Sequence, residues 1–412
     1  MLTAFRREIS ATPKLVVISN GKVSMSLDKL RIINEALTGN WTDWKWQQRS
    51  AIHNVQQLIE VFPGLDISVR ETIHRNLGHR RLQITPFAAS LVRRLPGTLA
   101  PDPCDPLWRQ FVPDWEEERG SAIAYDGQTD NWEMPGEMIT PIAQHKYDNR
   151  IIVRLANVCL SYCQFCYEAL RTLEKESLKT SFQQTHWDAT IAYVKCTPSI
   201  EEVILSGGEP LMHSDEQLDR ILFDLCTVGR PIVKRIHTRA LTFNPFRLTD
   251  DLLGVLSRRK VTAVGLHVTH PNEITSEFLF GIERLHNAIP ILFANIPLLR
   301  GVNDSVDLIH ELGMKLYANG VIPQYLYHFM PHSPGTQQFR TPVRKGIDII
   351  RSLKRRTSNF AVPEFVLPHF TGKFTPPLID EDEEPPVRWV DTSGNTMFRF
   401  RNWRGQTVDY PD

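Results

Sequence analysis

The feature that most constrains the fold of this chain is an alternation of short apolar runs with helical patterns, which begins near residue 150. Six apolar runs of strand length lie at residues 151–155, 202–205, 232–237, 262–267, 291–295 and 321–326. Segments with helical periodicity lie between them, for example residues 215–227 and 305–319. Alternating strands and helices form a parallel sheet with right-handed crossovers. The pattern predicts an α/β protein with a partial or full β/α barrel, and an open doubly wound sheet is the alternative.

The regions on either side of this array have a different character. Residues 1–140 are rich in Arg, Trp and Pro, and a helix is predicted from Trp41 to about Phe62. An acidic linker starts at Asp380, and a β-hairpin is predicted near Gly394. We therefore divide the chain into a helical N-terminal region (1–140), a β/α core (141–345) and a C-terminal extension (346–412).

Composition limits the classes of partner. The chain has 412 residues with 47 Lys+Arg and 47 Asp+Glu, so its formal net charge is zero. This balance gives no electrostatic case for binding nucleic acid or an anionic membrane. No apolar run is long enough to span a bilayer, and no secretory h-region follows Met1. Three of the six cysteines are clustered and three are scattered, which indicates a reducing, cytoplasmic compartment rather than a disulfide framework.

The clustered cysteines are the strongest chemical signal. Cys159, Cys163 and Cys166 follow the first strand predicted in the core. Three thiolates at this spacing can bind three irons of a [4Fe–4S] cluster and leave the fourth iron open to another ligand. Zinc is a weaker alternative, because no fourth Cys or His lies at a usual zinc spacing in the sequence.

A second motif follows the second predicted strand and consists of Ser206, Gly207, Gly208 and Glu209. Glycines let the backbone approach a ligand closely, although alone this segment would be an ordinary turn. Together with the C-x3-C-x2-C spacing, it resembles the radical S-adenosylmethionine (SAM) superfamily. The resemblance implies a partial (β/α)6 TIM-like barrel, a cluster that splits SAM to form a 5′-deoxyadenosyl radical, and a Gly-Gly-Glu contact to the methionine amino group. It also implies an external electron donor such as flavodoxin or ferredoxin.

Four further segments, at residues 41–47, 270–275, 298–304 and 339–343, resemble lysine 2,3-aminomutase and its relatives. The resemblance covers roughly residues 40–380 and implies an isomerase that moves an amino group between adjacent carbons. That family also uses pyridoxal 5′-phosphate (PLP), held at rest by a Schiff-base lysine. Lys373 is in register with this lysine and is the predicted catalytic residue. Without the resemblance, Lys373 would be interpreted as a solvated surface lysine.

The same resemblance assigns further cofactor contacts. Lys146, Tyr147 and Arg150 match the family segment that binds the PLP phosphate, although Lys for Arg loses the bidentate fork. Arg239 and His267 lie at the ends of predicted strands, where they are expected to contact SAM or PLP. A histidine packed in the core is the alternative for His267.

The sequence departs from the family pattern at positions that bind the substrate in the lysine enzymes. The lysine enzymes carry an arginine two residues after the last cysteine, to bind the substrate carboxylate, and Glu168 stands there instead. Either Arg171 replaces that arginine or the substrate presents a cation or neutral group. The two aspartates that bind the distal ammonium map to about Met330 and to Pro368. A buried ammonium without a partner is costly, so the substrate is expected to be an amino acid or amine other than free lysine.

Three more histidines and one absent metal complete these expectations. His328, His332 and His369 are candidates for lining the altered pocket, with structural roles as the alternative. The family's intersubunit zinc uses cysteines that this sequence lacks, so no structural zinc is predicted and homo-oligomer formation is left open. Deamination, elimination or epimerisation on the same fold, or an iron–sulfur electron carrier, are the alternative functions.

Overall fold

The computed structural model describes residues 40–116, 134–168, 182–331, 333, 335–369, 371–378, 387–401 and 406–411. Within these ranges the chain forms a ten-stranded sheet with helices and a second sheet of three strands. None of the helices in the described ranges is both long enough and apolar enough to cross a lipid bilayer.

The ten-stranded sheet follows the order of the chain, and its centre is parallel. Strands β3 to β9 run parallel to one another, whereas β1, β2 and β10 pair antiparallel. The strands are β1 Met138–Thr140, β2 Ala143–Tyr147, β3 Arg150–Ala156, β4 Glu202–Gly207, β5 Val233–Thr238, β6 Ala263–His267, β7 Ile291–Leu298, β8 Ile322–His328, β9 Glu364–His369 and β10 Gly372–Phe374. Among the described strands, β1 does not pair with β10, so the predicted partial barrel is confirmed as an open one.

One parallel strand was not expected. All six predicted strands are present as β3 to β8, and β9 extends the parallel array on the far side of β8. Pro363 precedes β9 and Pro368 lies within it. Because proline donates no hydrogen bond to a sheet, these two residues weaken the strand pattern in the sequence.

The helices follow the predicted alternation and begin at side-chain caps. Asp66, Ser214 and Ser305 each accept a hydrogen bond from a backbone N–H two or three residues onward. The predicted helices at 215–227 and 305–319 are confirmed with slightly shorter bounds. The helices are Trp44–Arg49, Val55–Val61, Ile67–Asn76, Pro86–Ser90, Pro106–Phe111, Gln184–Cys196, Asp215–Cys226, Ala240–Phe243, Asp250–Arg258, Ser276–His286, Val306–Ala318, Thr336–Phe339 and Val343–Arg356.

The helix predicted from Trp41 to about Phe62 is instead two short helices. Between them, Ile52 exchanges two backbone hydrogen bonds with Ile84, at 2.8 and 3.1 Å. Asn54 then caps the second helix through its side chain. The prediction of one continuous helix was wrong because a tertiary contact at Ile52 outweighs the local helical pattern.

The second sheet contains β11 Val387–Val390, β12 Thr396–Arg401 and β13 Thr407–Pro411, all antiparallel. The predicted hairpin is the turn between β11 and β12. Gly394 lies in this turn with φ of +85°, a conformation that favours glycine.

Candidate active site

Two cavities adjoin each other along the parallel strands. The cysteine cavity lies at the carboxyl ends of these strands, where β/α barrels place their sites, and the lysine cavity extends to residues near their amino ends, such as Arg150 and Gln324. The cysteine cavity has a volume of about 110 Å³ and is lined by the three clustered cysteines and by Ser206, Gly207, Gly208 and Glu209. The lysine cavity has a volume of about 270 Å³ and is lined by Lys373 and by residues of β2 to β9. The residues common to both are Cys163, Cys166, Tyr167, Glu168, His237, Arg239 and His267. The fold thus brings the predicted metal ligands next to the predicted Schiff-base lysine.

Cys159, Cys163 and Cys166 lie on the loop after β3, and no disulfide joins any of the six cysteines, all of which are described. The N-terminal region holds this loop in place, since the side-chain amide of Gln164 donates to the carbonyl oxygen of Arg81 at 3.0 Å. Burial raises the pKa of the Cys159 thiol. Binding of a metal must therefore displace the thiol proton, as is usual for thiolate ligands. Three thiols on one tethered loop are a donor set that fits an iron–sulfur cluster.

Arg239 follows β5 and contacts the cysteine loop directly. Its Nη1 donates to Sγ of Cys163 at 2.8 Å, and its Nη2 lies 3.1 Å from Oε1 of Glu273. Glu273 is fully buried and accepts hydrogen bonds from the backbone N–H groups of Thr269 and His270. A fixed guanidinium at this sulfur stabilises the thiolate form. The sequence predicts a SAM or PLP contact for Arg239, and the structure places it against the loop of the three clustered cysteines.

The Gly-Gly-Glu segment at the end of β4 packs against the same loop. A Cβ atom on Gly208 would lie 2.3 Å from the carbonyl oxygen of Val158, the residue before the first cysteine. Glu209 is buried, and its carboxylate accepts hydrogen bonds from Oγ1 of Thr238 at 2.7 Å and from the N–H of Arg239 at 2.9 Å. Glycine is required at 208 because the two backbones approach too closely for any side chain.

Lys373 lies on β10 with its amine above two aromatic rings of β8. Nζ is 4.6 Å from the ring centre of Tyr325 and 5.2 Å from that of Tyr327. Burial of the amine, together with the positive charges of Arg150 and Arg235, lowers the pKa of Lys373 to about 8. A considerable fraction of this amine is therefore neutral near physiological pH. The neutral amine is the form that attacks an aldehyde.

The predicted phosphate-binding segment forms the turn from β2 to β3, and all three of its candidate residues line the lysine cavity. The guanidinium of Arg150 lies 4.0 Å from the ring centre of Tyr147. Lys146 is buried, and its Nζ lies 3.0 Å from a carboxylate oxygen of Glu137. The charge of Lys146 is thus shared with a carboxylate, whereas Arg150 has no carboxylate partner within the described part of the chain.

Several buried polar atoms around the lysine cavity have no hydrogen-bond partner among the described residues. They are Tyr147 Oη, Arg235 Nε, His237 Nε2, Arg239 Nε, His267 Nε2, Asn295 Oδ1 and Ser333 Oγ. Buried polar atoms without partners are costly and uncommon in folded proteins. Their concentration around one cavity indicates a polar ligand that supplies the missing partners. The residues therefore fit cofactors such as SAM and PLP, which carry many polar groups.

His237 and His267 face each other at the junction of the two cavities, with their ring centres 5.4 Å apart. Burial lowers the pKa of both imidazoles, that of His267 to about 4, so both are neutral near pH 7. Gly265 makes room for the ring of His237. A Cβ atom on Gly265 would lie 2.6 Å from Cζ of Phe293 and 2.9 Å from Cδ2 of His237. His267 was singled out by the sequence, and His237 was not.

Glu168 is not an isolated negative charge. Its Oε2 lies 3.2 Å from Nε of Arg154, and the two side chains are only 8% and 5% exposed. Nη2 of Arg154 also donates to Oε1 of Gln144 at 3.1 Å, and Gln144 donates to Glu137 at 2.8 Å. All but Glu137 line the lysine cavity. The guanidinium of Arg154 on β3 therefore offsets the repulsion that the sequence alone predicts between Glu168 and a substrate carboxylate.

The distal part of the lysine cavity, defined here by Phe329, Met330 and Pro368, carries no charged side chain at these three positions. Met330 and Pro368, the positions to which the family's aspartates map, both line it, together with Phe329. Among the described residues that line this cavity, Glu168 is the only acid. A substrate ammonium at the distal end therefore has no carboxylate to pair with in the described part of the site.

The remaining residues predicted to contact the substrate do not all line the lysine cavity. His369 does not line either cavity, and its Nδ1 lies 2.7 Å from Oγ1 of Thr371. The pocket role predicted for His369 is therefore not supported by its position. Arg171 and His332 lie outside the described residues. His328 lines the lysine cavity, where its Nε2 is 2.8 Å from the carbonyl oxygen of Thr341.

Sequence analysis missed two arginines of the site, Arg154 on β3 and Arg235 on β5. Each interrupts an apolar run, and central strands of a parallel sheet are covered on both faces. A charged residue inside such a run points to a polar interior site, because charges are almost never buried without a partner. A charged residue inside an apolar run is thus the sequence signal that identifies Arg154 and Arg235.

Comparisons with known proteins agree with this geometry. Residues 153–312 match a family model described as the radical SAM superfamily. The chain is 33% identical to the L-lysine 2,3-aminomutase of Acetoanaerobium sticklandii over 376 residues, which cover 90% of this chain and 86% of that protein. It is 30% identical to the L-lysine 2,3-aminomutase of Clostridium subterminale, with 93% and 87% covered. It is 26% identical to the glutamate 2,3-aminomutase of Clostridioides difficile, with 95% and 87% covered.

Proposed function

This chain belongs to the lysine 2,3-aminomutase family of radical SAM enzymes, and we propose that it uses PLP to move an amino group within a substrate other than free lysine. Membership makes the chain an isomerase, a 2,3-aminomutase whose chemistry depends on a [4Fe–4S] cluster and SAM. The parts that remain proposals are the PLP site, the residue roles and the substrate.

We assign the cluster to Cys159, Cys163 and Cys166 and the methionine group of SAM to residues 206–209. Reduction of SAM at the cluster supplies the 5′-deoxyadenosyl radical that takes a hydrogen atom from the substrate. The protein holds the cysteine loop through Gln164 and keeps the Gly-Gly-Glu segment packed against it. The neutral imidazole of His267 lies between this site and Lys373, within reach of both cavities.

The charges around the lysine cavity carry the proposal of a PLP site. Six cationic side chains line this cavity: Lys146, Arg150, Arg154, Arg235, Arg239 and Lys373. Four of them pair with carboxylates, those of Glu137, Glu168, Glu202 and Glu273. Within the described residues, Arg150 and Lys373 have no such partner. A guanidinium for a phosphate and an amine of lowered pKa for an aldehyde are the two groups that PLP needs.

The substrate is inferred from the distal part of the cavity. The only acid among the described lining residues is paired with Arg154, while Met330 and Pro368 offer no negative charge. Leaving an ammonium buried without a partner costs several kcal/mol. A substrate with an uncharged distal group avoids this cost. We therefore exclude free lysine as the preferred substrate.

The first experiment tests the PLP site. Wild-type protein incubated with PLP should gain an absorbance band near about 420 nm, and the Lys373→Ala variant should not. Lys345→Ala is a matched control, because Lys345 is an exposed lysine on the helix Val343–Arg356. Absence of the band in the wild type, or its persistence in Lys373→Ala, would remove Lys373 from the proposal.

The second experiment tests the reaction. Anaerobically reconstituted enzyme with SAM, PLP and a reductant should convert a substrate to an isomer of equal mass and form 5′-deoxyadenosine. Release of ammonia would instead indicate an eliminase. Free lysine as the best substrate in a panel of amino acids and amines would show that the interpretation of the distal pocket is wrong.

The reaction also sets requirements on the surroundings of the enzyme. One-electron reduction of SAM needs an electron from outside the chain, so we infer a donor protein such as flavodoxin or ferredoxin. From the same need we infer a reducing, cytoplasmic location. Photochemically reduced flavodoxin should replace dithionite in the assay; no turnover with any one-electron protein donor would contradict this inference.

A further inference from the structure

We propose that Arg154 binds the carboxylate of the substrate and that Glu168 positions its guanidinium. This inference rests on the proposed function and deepens it. It names the residue that would bind the substrate carboxylate in place of the arginine that the lysine enzymes carry at the position of Glu168.

Strand β3 places two guanidinium groups along one wall of the lysine cavity. Arg150, Ile152 and Arg154 alternate along the strand, share one of its faces and line the cavity. Four residues of strand separate the two arginines by about 13 Å. An amino acid joined to PLP carries an anion at each end, the phosphate and the α-carboxylate. Two arginines at the two ends of one strand match these two anions.

The position of Arg154 also suits the chemistry. It contacts Glu168, which lies two residues after Cys166 and lines both cavities. Arg154 therefore lies at the end of the lysine cavity that adjoins the cysteine cavity, where the radical forms. A substrate held by its carboxylate at Arg154 and by its nitrogen toward Lys373 directs its α and β carbons toward that junction.

The contacts of Arg154 fix the plane of its guanidinium. Nε faces both carboxylate oxygens of Glu168, at 3.2 and 3.3 Å, and Nη2 donates to Gln144 at 3.1 Å. A guanidinium has five N–H donors in a rigid fork, so one arginine can bind two carboxylates at once. Holding the fork by two side chains lowers the entropy lost when the substrate binds.

The negative charge of Glu168 lets us predict whether a variant at this position binds the substrate more tightly or more weakly. Glu168 is needed to hold Arg154, but its negative charge also opposes a second carboxylate nearby. Glu168→Gln retains an oxygen acceptor and removes that charge. If Arg154 binds the substrate carboxylate, this variant should bind α-amino acids at least about threefold more tightly. The increase is assigned to Arg154 only if it disappears when Arg154 is also replaced, because removing a negative charge from the cavity favours any anion bound there.

The probes are the common L-α-amino acids other than lysine and their carboxamides, titrated into PLP-loaded protein and followed by the absorbance change on binding. In the wild type the acids should bind more tightly than the amides. Glu168→Gln should strengthen binding of the acids and leave the amides unchanged. Equal binding of each acid and its amide, or binding of amides alone, overturns the proposal.

Two double variants separate loss of the guanidinium from misfolding. Arg154→Leu with Glu168→Gln removes both charges, and it should weaken binding of the acids by about 10- to 100-fold with no effect on the amides. Arg154→Leu with Glu168→Arg supplies the guanidinium from the cysteine loop, and it should restore binding of the acids. Equal losses for acids and amides in the first variant would show a structural role only. If no PLP band forms in the wild type, the proposed function fails. If the band forms but no amino acid changes it, only the proposed role of Arg154 fails.

Discussion

Nη1 of Arg239 donates a hydrogen bond to Sγ of Cys163 at 2.8 Å, so a buried positive charge contacts one of the three sulfurs that we propose as ligands of the cluster. Hydrogen bonds and positive charge at a ligand sulfur stabilise the reduced state of an iron–sulfur cluster. We therefore expect Arg239 to raise the reduction potential of the bound cluster.

Arg239→Lys tests this expectation, because it retains a charge for Glu273 and loses the guanidinium fork. We expect a lower midpoint potential, measured by redox titration with electron paramagnetic resonance in the absence of SAM. Arg259→Lys is the control, since Arg259 pairs with Asp219 on a helical surface. An unchanged potential in Arg239→Lys, at full iron content, would contradict the assigned role.

Gly208 should tolerate no side chain. In Gly208→Ala the new Cβ would lie 2.3 Å from the carbonyl oxygen of Val158, so either the cysteine loop or β4 must shift. We expect a destabilisation of about 1–3 kcal/mol and less than the full iron content after reconstitution. Gly254→Ala is the matched control, because Gly254 is exposed in the helix Asp250–Arg258 and its Cβ would meet nothing within 4 Å. It should stabilise the protein by up to about 1 kcal/mol. Equal melting temperatures and iron contents in both variants would contradict the steric argument.

The attachment of PLP to Lys373 should depend on pH with a midpoint near 8. Below this pH the amine is protonated and does not attack the aldehyde; above it the amine is neutral, so the rate of attachment should rise. Arg235→Gln removes one of the positive charges that lower the pKa of Lys373, so the midpoint should move upward. Rapid-mixing absorbance across a pH series measures it. Arg220→Gln, an exposed site that contacts Gln217, should leave the profile unchanged. A midpoint near 10.5 in the wild type would argue against a lowered pKa at Lys373.

Glu209 should contribute to both stability and SAM binding. Its carboxylate accepts hydrogen bonds from Oγ1 of Thr238 and from the N–H groups of Leu211 and Arg239. Glu209→Gln places an amide NH2 where donors converge, and a buried donor without an acceptor costs about 1–3 kcal/mol. Thermal unfolding should show this loss. Calorimetry with SAM on the reconstituted protein should show weaker binding, and wild-type affinity in a folded variant would limit Glu209 to a structural role.

The strands and the main helices could be predicted from the sequence because burial on both faces leaves continuous apolar runs and amphipathic helices leave a clear period. The strand β9 was missed because Pro363 and Pro368 weaken its pattern. The helix break at Ile52 was missed because its cause is a partner 32 positions along the chain, Ile84. Local periodicity contains no information about such contacts.

The prediction of the site needed only local spacing for the three cysteines, which the fold brings to one cavity. The prediction was incomplete where function depends on which charged side chains pair with one another. Glu168 alone suggested repulsion of a carboxylate, and only the fold shows that Arg154 lies 3.2 Å from it. His369 was predicted to line the pocket because it follows Pro368 in the sequence. In the structure Pro368 lines the lysine cavity and His369 does not. Which charges neutralise one another is a property of three-dimensional packing.

The tight fit of His237 over Gly265 links two positions on neighbouring strands. Any side chain at 265 would collide with the His237 and Phe293 rings. A side chain at 265 therefore requires smaller residues at both 237 and 293, so these three positions can change during evolution only together. Transplanting β6 alone from a relative with a side chain at 265 should give an unstable hybrid, whereas exchanging β5, β6 and β7 at once should not.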